Sequence, residues 1–263
     1  MDEPLLVERV DRIVLLTLNR PEKLNAVSPA MHEAIMAIVE EIRDDDRIWG
    51  VVLTGAGRAF SAGVDLTAGD GGNGEETHAS RLDEIMWFGR QTLALAGLDK
   101  PMIAAVNGIA VGLGMSMSLA CDVRVGGVAT VFRTMMVERS LGPDSGMSWF
   151  LPRVVGYSRA ADLLMTSRAI DGEEAYRLGL LDRYVGAGDV VAAAIELAGE
   201  MTRWPPTAVR TAKTILRRSM LLDLPEALVQ EAAGLQRARS APNDAHEATA
   251  SFLEKRSPKF TGT

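Results

Sequence analysis

Cysteine occurs once in the 263 residues, at Cys121, so no disulfide can form within the chain and a reducing compartment is expected. Histidine is scarce too. His32, His78 and His246 lie far apart and, with one cysteine, make no cluster of metal-ligand spacing; each is read as a surface or core residue, and no metal is expected. Positive charge falls short of negative, 28 Lys and Arg against 35 Asp and Glu, for a net charge of -7. That balance argues against nucleic acid or an anionic membrane as the main partner. No apolar stretch approaches the ~20 residues of a membrane helix. The N-terminus, MDEPLLVERVDR, starts acidic, unlike a signal peptide. A cytoplasmic protein is expected. Common catalytic signatures are missing as well: there is no P-loop and no G-x-S-x-G elbow. Gly112-Leu113-Gly114 lacks the third glycine and the later acid of a dinucleotide-binding turn.

What remains is an ordinary globular balance, 47% apolar and 24% charged. Leu5 to Arg9 and Ile13 to Leu18 are short β-rich runs around Asp11-Arg12, which predicts a hairpin. Ser28-Pro29 reads as an N-cap followed by proline at the first helical position. Met31, Ile35, Ile38, Val39 and Ile42 then recur on one helical face. Gly50 to Thr54 predicts a buried strand that enters the turn Gly55 to Gly57. Gly69 to His78 predicts a mobile surface loop, and a helix should follow through Leu82, Ile85, Met86 and Phe88 to about Leu98. Met102 to Val106, Asp122 to Val125 and Thr130 to Phe132 predict further strands. Strand, glycine turn and helix thus recur without any repeat of sequence, which is α/β organisation. After about residue 187 the strands stop. Val190 to Met201, Thr207 to Met220, Pro225 to Arg239 and Asp244 to Arg256 all read as helices. A boundary near Trp204 would divide residues 1–203 from a helical region, 204–263, too thin to bury its own apolar faces. It should pack on the main body or on a partner subunit.

Two glycine-bearing turns carry what chemistry the sequence offers. One is RAFSAGVDL, Arg58 to Leu66; the other is VNGIAVGLGMSMSLACD, Val106 to Asp122. Each follows a strand and precedes a helical segment. A helix start presents unpaired N–H groups and the positive end of the helix dipole. Side by side, two such turns can aim two N–H groups at one oxygen, an oxyanion hole with no charged side chain. The plainer reading is that both are tight strand–helix turns with glycine for steric reasons.

Six segments in order resemble the crotonase family, the enoyl-CoA hydratase/isomerase superfamily. They are LNRPEKLNAVSPAM, RAFSAGVDL, KPMIAAVNGIAVGLGMSMSLACD, LGPDSGMSWFLPRVVG, LGLLDRYV and FLEKRSPKF, and together they cover nearly the whole chain. The resemblance implies an α/β spiral of ββα units with a C-terminal helical trimerisation region, assembled as a homotrimer or a pair of trimers. It implies an acyl-CoA substrate, with coenzyme A as part of the substrate and no separate cofactor. By position it makes the N–H groups of Val64 and Leu113 the oxyanion donors, each worth about 3–4 kcal/mol in a transition state. It places Lys23, Asn25, Ala26, Ala62 and Asp65 around CoA, with Asp65 also capping the turn after Val64. Phe260, beside Lys259, falls where some members extend the C-terminus toward CoA, often from a neighbouring subunit.

Departures from the family pattern shape the expected reaction. Members that add water to a double bond use two glutamates; by position these are Ser116 and Met136 here. A serine hydroxyl has no suitable pKa and a thioether is no base. Asp144, in GPDSG, matches a catalytic aspartate of the family's dienoyl-CoA isomerases, and one carboxylate suffices to move a double bond. Asp144 also reads as the cap of a helix beginning at Ser145. Glu138 lies on another face. The methionines Met115, Met117, Met135, Met136 and Met147 either line an adaptable acyl pocket or fill the core. Double-bond isomerisation with Asp144 as base is the leading expectation. Enoyl-CoA hydration and non-catalytic acyl-CoA binding are the alternatives.

Overall fold

The computed structural model describes residues 3–68 and 82–263. The expected loop at Gly69 to His78 lies outside the described residues. The chain opens with a hairpin, β1 (Leu5–Val10) and β2 (Ile13–Leu18), as its β-rich runs predict. Helix α1 (Pro29–Asp44) starts where Ser28 accepts a bond from the Met31 N–H, with Pro29 at the first helical position. Met31, Ile35, Val39 and Ile42 are buried on its inner face, and Ile38 is half-buried. At the other end of α1 the fully buried Lys100 donates to the carbonyls of Ile42 and Asp45, the latter at 2.7 Å. A cation there satisfies orphan carbonyls and complements the helix dipole.

Three ββα units follow. They are β3 (Gly50–Gly55), β4 (Ala59–Ser61) and α2 (Met86–Gly97); β5 (Met102–Val106), β6 (Ile109–Val111) and α3 (Leu113–Ala120); β7 (Val123–Gly126), β8 (Val131–Arg133) and α4 (Met147–Val155). Each unit gives one strand to each of two sheets. The larger sheet runs β1-β2-β3-β5-β7-β10 and the smaller β4-β6-β8-β9, where β9 is Ile170–Asp171 and β10 is Arg183–Tyr184. Between successive units, neighbouring strands of each sheet are parallel. Every residue of β3 and β5 is buried, as expected of parallel strands covered on both faces. One face of the large sheet carries Ile13, Leu15, Val52, Ile103 and Val125, covered by Ala194, Leu197 and Ala198 of α7 (Val190–Thr202). The opposite face, with Val14, Leu16, Val51 and Leu53, joins the main core together with α1 and α3.

Helix α2 starts later than its apolar pattern predicts. Leu82 and Ile85 are exposed, and the Asp83 carboxylate accepts from Met86 N–H at 3.1 Å. Helices α5 (Tyr157–Thr166) and α6 (Gly172–Leu178) precede β10. The chain ends in α8 (Pro206–Ser219), α9 (Leu224–Ala238) and α10 (Pro242–Glu254), close to the predicted bounds. Asp122, at the start of β7, fastens α8 to the body. It takes Lys213 Nζ at 2.6 Å and Arg217 Nη2 at 3.0 Å, and also accepts from Met102 N–H at 2.8 Å. Lys213 is nearly buried, and burial holds its amine below the usual lysine range. Asp122→Ala strands that cation, so a loss of about 3 kcal/mol is expected in urea unfolding at pH 7. A loss well under about 1 kcal/mol would show that α8 is held by its apolar contacts instead.

Candidate active site

Strands β4 and β6 pair in parallel, Ala59 opposite Ile109, so the chain leaves both at the same edge. The turns that follow touch. A Cβ on Gly114 would stand 2.3 Å from Ser61 O. One on Gly63 would stand 2.8 Å from Val111 O and 3.4 Å from Leu113 N. Gly63 has φ +91 and Gly112 φ +52, so steric need accounts for these glycines. Contact between the turns is also what an oxyanion hole requires.

Backbone accounting in the two turns leaves particular groups over. Ala62 N–H donates to Leu24 O at 2.9 Å, Gly63 N–H to Ser61 Oγ at 3.2 Å and Asp65 N–H to Val27 O at 3.0 Å. Gly112 N–H donates to Arg133 O at 3.1 Å, and Ser116 N–H to Gly112 O at 3.0 Å. Among the described residues Val64 N–H has no partner, and Leu113 N–H is the first unpaired donor of α3. The direction of Val64 N–H is set one atom group away. Gly63 O accepts from Val27 N–H at 2.7 Å, and a trans peptide points its N–H opposite to its carbonyl.

Asparagines hold the turn that precedes β4. Asn25 Nδ2 donates to Ala56 O and Ala59 O at 2.9 and 2.7 Å, and its Oδ1 accepts from Arg20 N–H. Asn107 donates to Gly55 O and Gly57 O. Asn25 is fully buried and its side chain braces the turn, which leaves the main chain of this segment to meet CoA in the expected contact. Asp65 is likewise committed: Oδ1 accepts from Thr67 N–H and Oγ1, and Oδ2 pairs with Arg20 at 2.8 Å. The Thr67 hydroxyl, then the Thr67 N–H, and after them Arg20 bring its carboxyl down to about 2 against the opposing effect of burial. Ala62 is half-buried, Ala26 is buried, and Lys23 is exposed at the end of a 3-10 turn, Pro21–Lys23. Arg20 itself went unmarked in the sequence. A lone arginine in a turn carries no pattern, and its acid lies in another motif.

Asp144 is half-buried on the segment leading into α4, which packs on α3. The expected cap is corrected here: α4 starts at Met147, its N-cap is Gly146, and the Asp144 contribution is its main-chain carbonyl, which accepts from Met147 N–H at 2.8 Å. Its carboxylate accepts from Ser145 Oγ at 2.8 Å. Burial raises the carboxyl above its ordinary range, and the Ser145 bond opposes part of that rise. Thr92 of α2 pins Ser145 O at 3.1 Å. Ser116 and Met136 are buried, and Ser116 Oγ has no partner among the described residues. Glu138 is paired with Arg133 at 2.7 Å.

Phe260 is not brought to this edge. Its carbonyl accepts from Arg12 Nη2 at 3.1 Å, in the β1–β2 turn. Arg12 precedes β2 and Arg20 follows it, so the six residues of β2, roughly 20 Å of strand, intervene. Met115, Met117 and Met147 belong to the packed core. A cavity of about 690 Å³ lies behind α2 and α4, with Thr92, Gly146, Phe150 and Leu216 in its wall; Val64, Leu113 and Asp144 do not line it. Cys121, also in that wall, is buried, and burial pushes its thiol up to about 12.

Stacked parallel sheets built from ββα turns, with two glycine turns meeting at one edge, define the crotonase fold, and solved structures agree. An enoyl-CoA hydratase from Bacillus anthracis superposes with a TM-score of 0.92 at 31% identity, covering 99% of this chain and all of that one. The chain belongs to the enoyl-CoA hydratase/isomerase family, whose model matches residues 8–263. Relatives include a probable enoyl-CoA hydratase of Mycobacterium tuberculosis, 34% identical over 265 residues, and the 2,3-dehydroadipyl-CoA hydratase of Escherichia coli, 34% identical over 261. In both cases 98% of each chain is covered. The protein is thus an enzyme of the hydratase/isomerase type. No helix among the described residues is long and apolar enough to cross a membrane.

Proposed function

We propose that the protein moves a double bond within an acyl-CoA thioester, with Asp144 as base and the N–H groups of Val64 and Leu113 holding the thioester oxygen. The observation that carries this reading is the pair of unpaired N–H groups on two turns held in contact at glycines. From a 3-enoyl thioester, the Asp144 carboxylate takes a proton from C2 and the electrons move onto the thioester oxygen. The enolate then collapses as the same carboxyl returns the proton to C4, leaving the 2-enoyl thioester. No atom is gained or lost. A raised carboxyl pKa suits a group that must both accept and return a proton. Ser116 and Met136 supply no second acid for activating water. Coenzyme A enters as part of the substrate, and the chemistry calls on no further cofactor.

The exposed apolar side chains Leu224, Leu228, Val229, Phe252 and Leu253 on α9 and α10 support subunit contacts through residues 204–263, in a trimer or pair of trimers. The test of the reaction uses heavy water, with a 2-enoyl-CoA and a 3-enoyl-CoA supplied separately. Bond migration with deuterium uptake and no gain of water is the expected result by mass spectrometry. Gain of water at enzyme-like rates would identify a hydratase. Thioester binding with neither change would identify a binder.

A further inference from the structure

We infer that Arg20 is a positioning residue for the oxyanion donor at Val64, clamping the segment Lys23–Ala26 to the turn that carries this donor. The inference rests on the oxyanion reading above. The guanidinium spans both segments: Nη1 donates to Ala26 O at 2.8 Å, and Nη2 lies 2.8 Å from Asp65 Oδ2. Between those attachment points lies the isolated parallel bridge of Val27 with Val64. Of its two bonds, Val27 N–H to Gly63 O fixes the peptide plane that contains the Val64 N–H, and Asp65 N–H to Val27 O fixes the plane that follows it. One bridge outside any strand is a soft element. It is softer for having Gly63 at its edge, because glycine passes readily between positive and negative φ and lets a peptide plane turn over. A turned plane would present the Gly63 carbonyl where the donor belongs.

Arg20 removes that freedom. It holds Ala26, directly before Val27, and Asp65, directly after Val64, so neither half of the bridge can slide without breaking a charge-assisted bond. The Asp65 carboxylate cannot follow a displaced partner, because Thr67 holds its other oxygen through N–H and Oγ1. The pair is sheltered, with side-chain exposures of 20% for Arg20 and 5% for Asp65, so salt and water screen it little. A planar fork with several donors serves both attachment points at once, which a lysine ammonium on a flexible stem does poorly. The same clamp ties the expected CoA segment to the donor, so seating the cofactor portion of the substrate and aiming the N–H are mechanically one event.

The test reads the carbonyl directly. A saturated acyl-CoA with a 13C-labelled thioester carbonyl is bound to the full chain, and its stretching frequency is recorded by isotope-edited infrared difference spectroscopy. The wild type should lower that frequency on binding. Arg20→Ala and Asp65→Asn should lose most of the shift, Arg20→Lys part of it, and kcat on a 3-enoyl-CoA should fall about 10²–10³-fold in the first two, as for loss of one oxyanion donor. The double variant should be no worse than either single variant, as for two parts of one device. Asp65→Asn preserves shape and the Thr67 bonds, so it keeps the test open if Arg20→Ala fails to fold. A wild-type shift that persists in Asp65→Asn and Arg20→Lys, with kcat unchanged, overturns the clamp. No shift in the wild type overturns the oxyanion reading itself.

Discussion

Asp144→Asn should slow double-bond migration by about 10²–10⁴-fold, the range supplied by a positioned general base. The amide keeps the shape and the bond from Ser145 but cannot take a proton. Because burial raises the Asp144 carboxyl, the wild-type rate should climb with pH along a limb above that of an ordinary aspartate and then level off. Stability runs the other way. A raised carboxyl binds its proton more tightly in the folded chain, so its contribution is complete below the unfolded pKa, near ~3.9, and lost as pH rises through the folded value. The asparagine variant escapes this. At pH 7 it should melt no lower than the wild type while being nearly inactive, with any gap in Tm closing toward acid. A variant that keeps its rate would remove Asp144 from the chemistry; one that loses rate and melts early would make the residue structural.

Gly114→Ala should do damage of another kind. The added carbon would stand 2.3 Å from Ser61 O and 2.8 Å from Ser61 Cβ, and a main-chain atom cannot rotate aside as a side-chain tip can. The two turns must separate, at about 1–3 kcal/mol for overpacking of this kind. Separation pulls the Leu113 N–H from the Val64 N–H, so one donor misses the oxygen and kcat should fall about 10²–10³-fold. Gly97→Ala is the control, because nothing lies within 4 Å of its missing Cβ. Differential scanning calorimetry and steady-state kinetics on the pair of variants check both effects. Equal behaviour of the two would mean that the close approach of the turns has no bearing on catalysis.

Much of this was open to a reader of the sequence, for identifiable reasons. Ser28-Pro29, the fully apolar run Met102 to Val106 and the closing helices are local features whose pattern is their cause. So is the glycine spacing at Gly108, Gly112 and Gly114. What stayed hidden depends on partners distant in the chain. Nothing near Asn25 says that Ala56 and Ala59 will use its amide, and nothing near Arg20 names Asp65. The cap expected of Asp144 failed for a local reason: Ser145 and Gly146 both take positive φ, so the helix begins later and the aspartate side chain is left out of it. Within one chain Phe260 lies away from this edge because the tail folds back on Arg12 and Trp49, at the far ends of the strands.

Cys121 has a consequence for handling the protein. Its thiol is buried in the cavity wall and held protonated at every ordinary pH, so the folded chain offers maleimides and methanethiosulfonates no native thiolate to attack. A cysteine introduced at an exposed position, Lys23→Cys for instance, would carry a fluorophore or spin label with no background to engineer away. Conversely, any labelling of Cys121 in the unaltered chain would serve as a clock for unfolding.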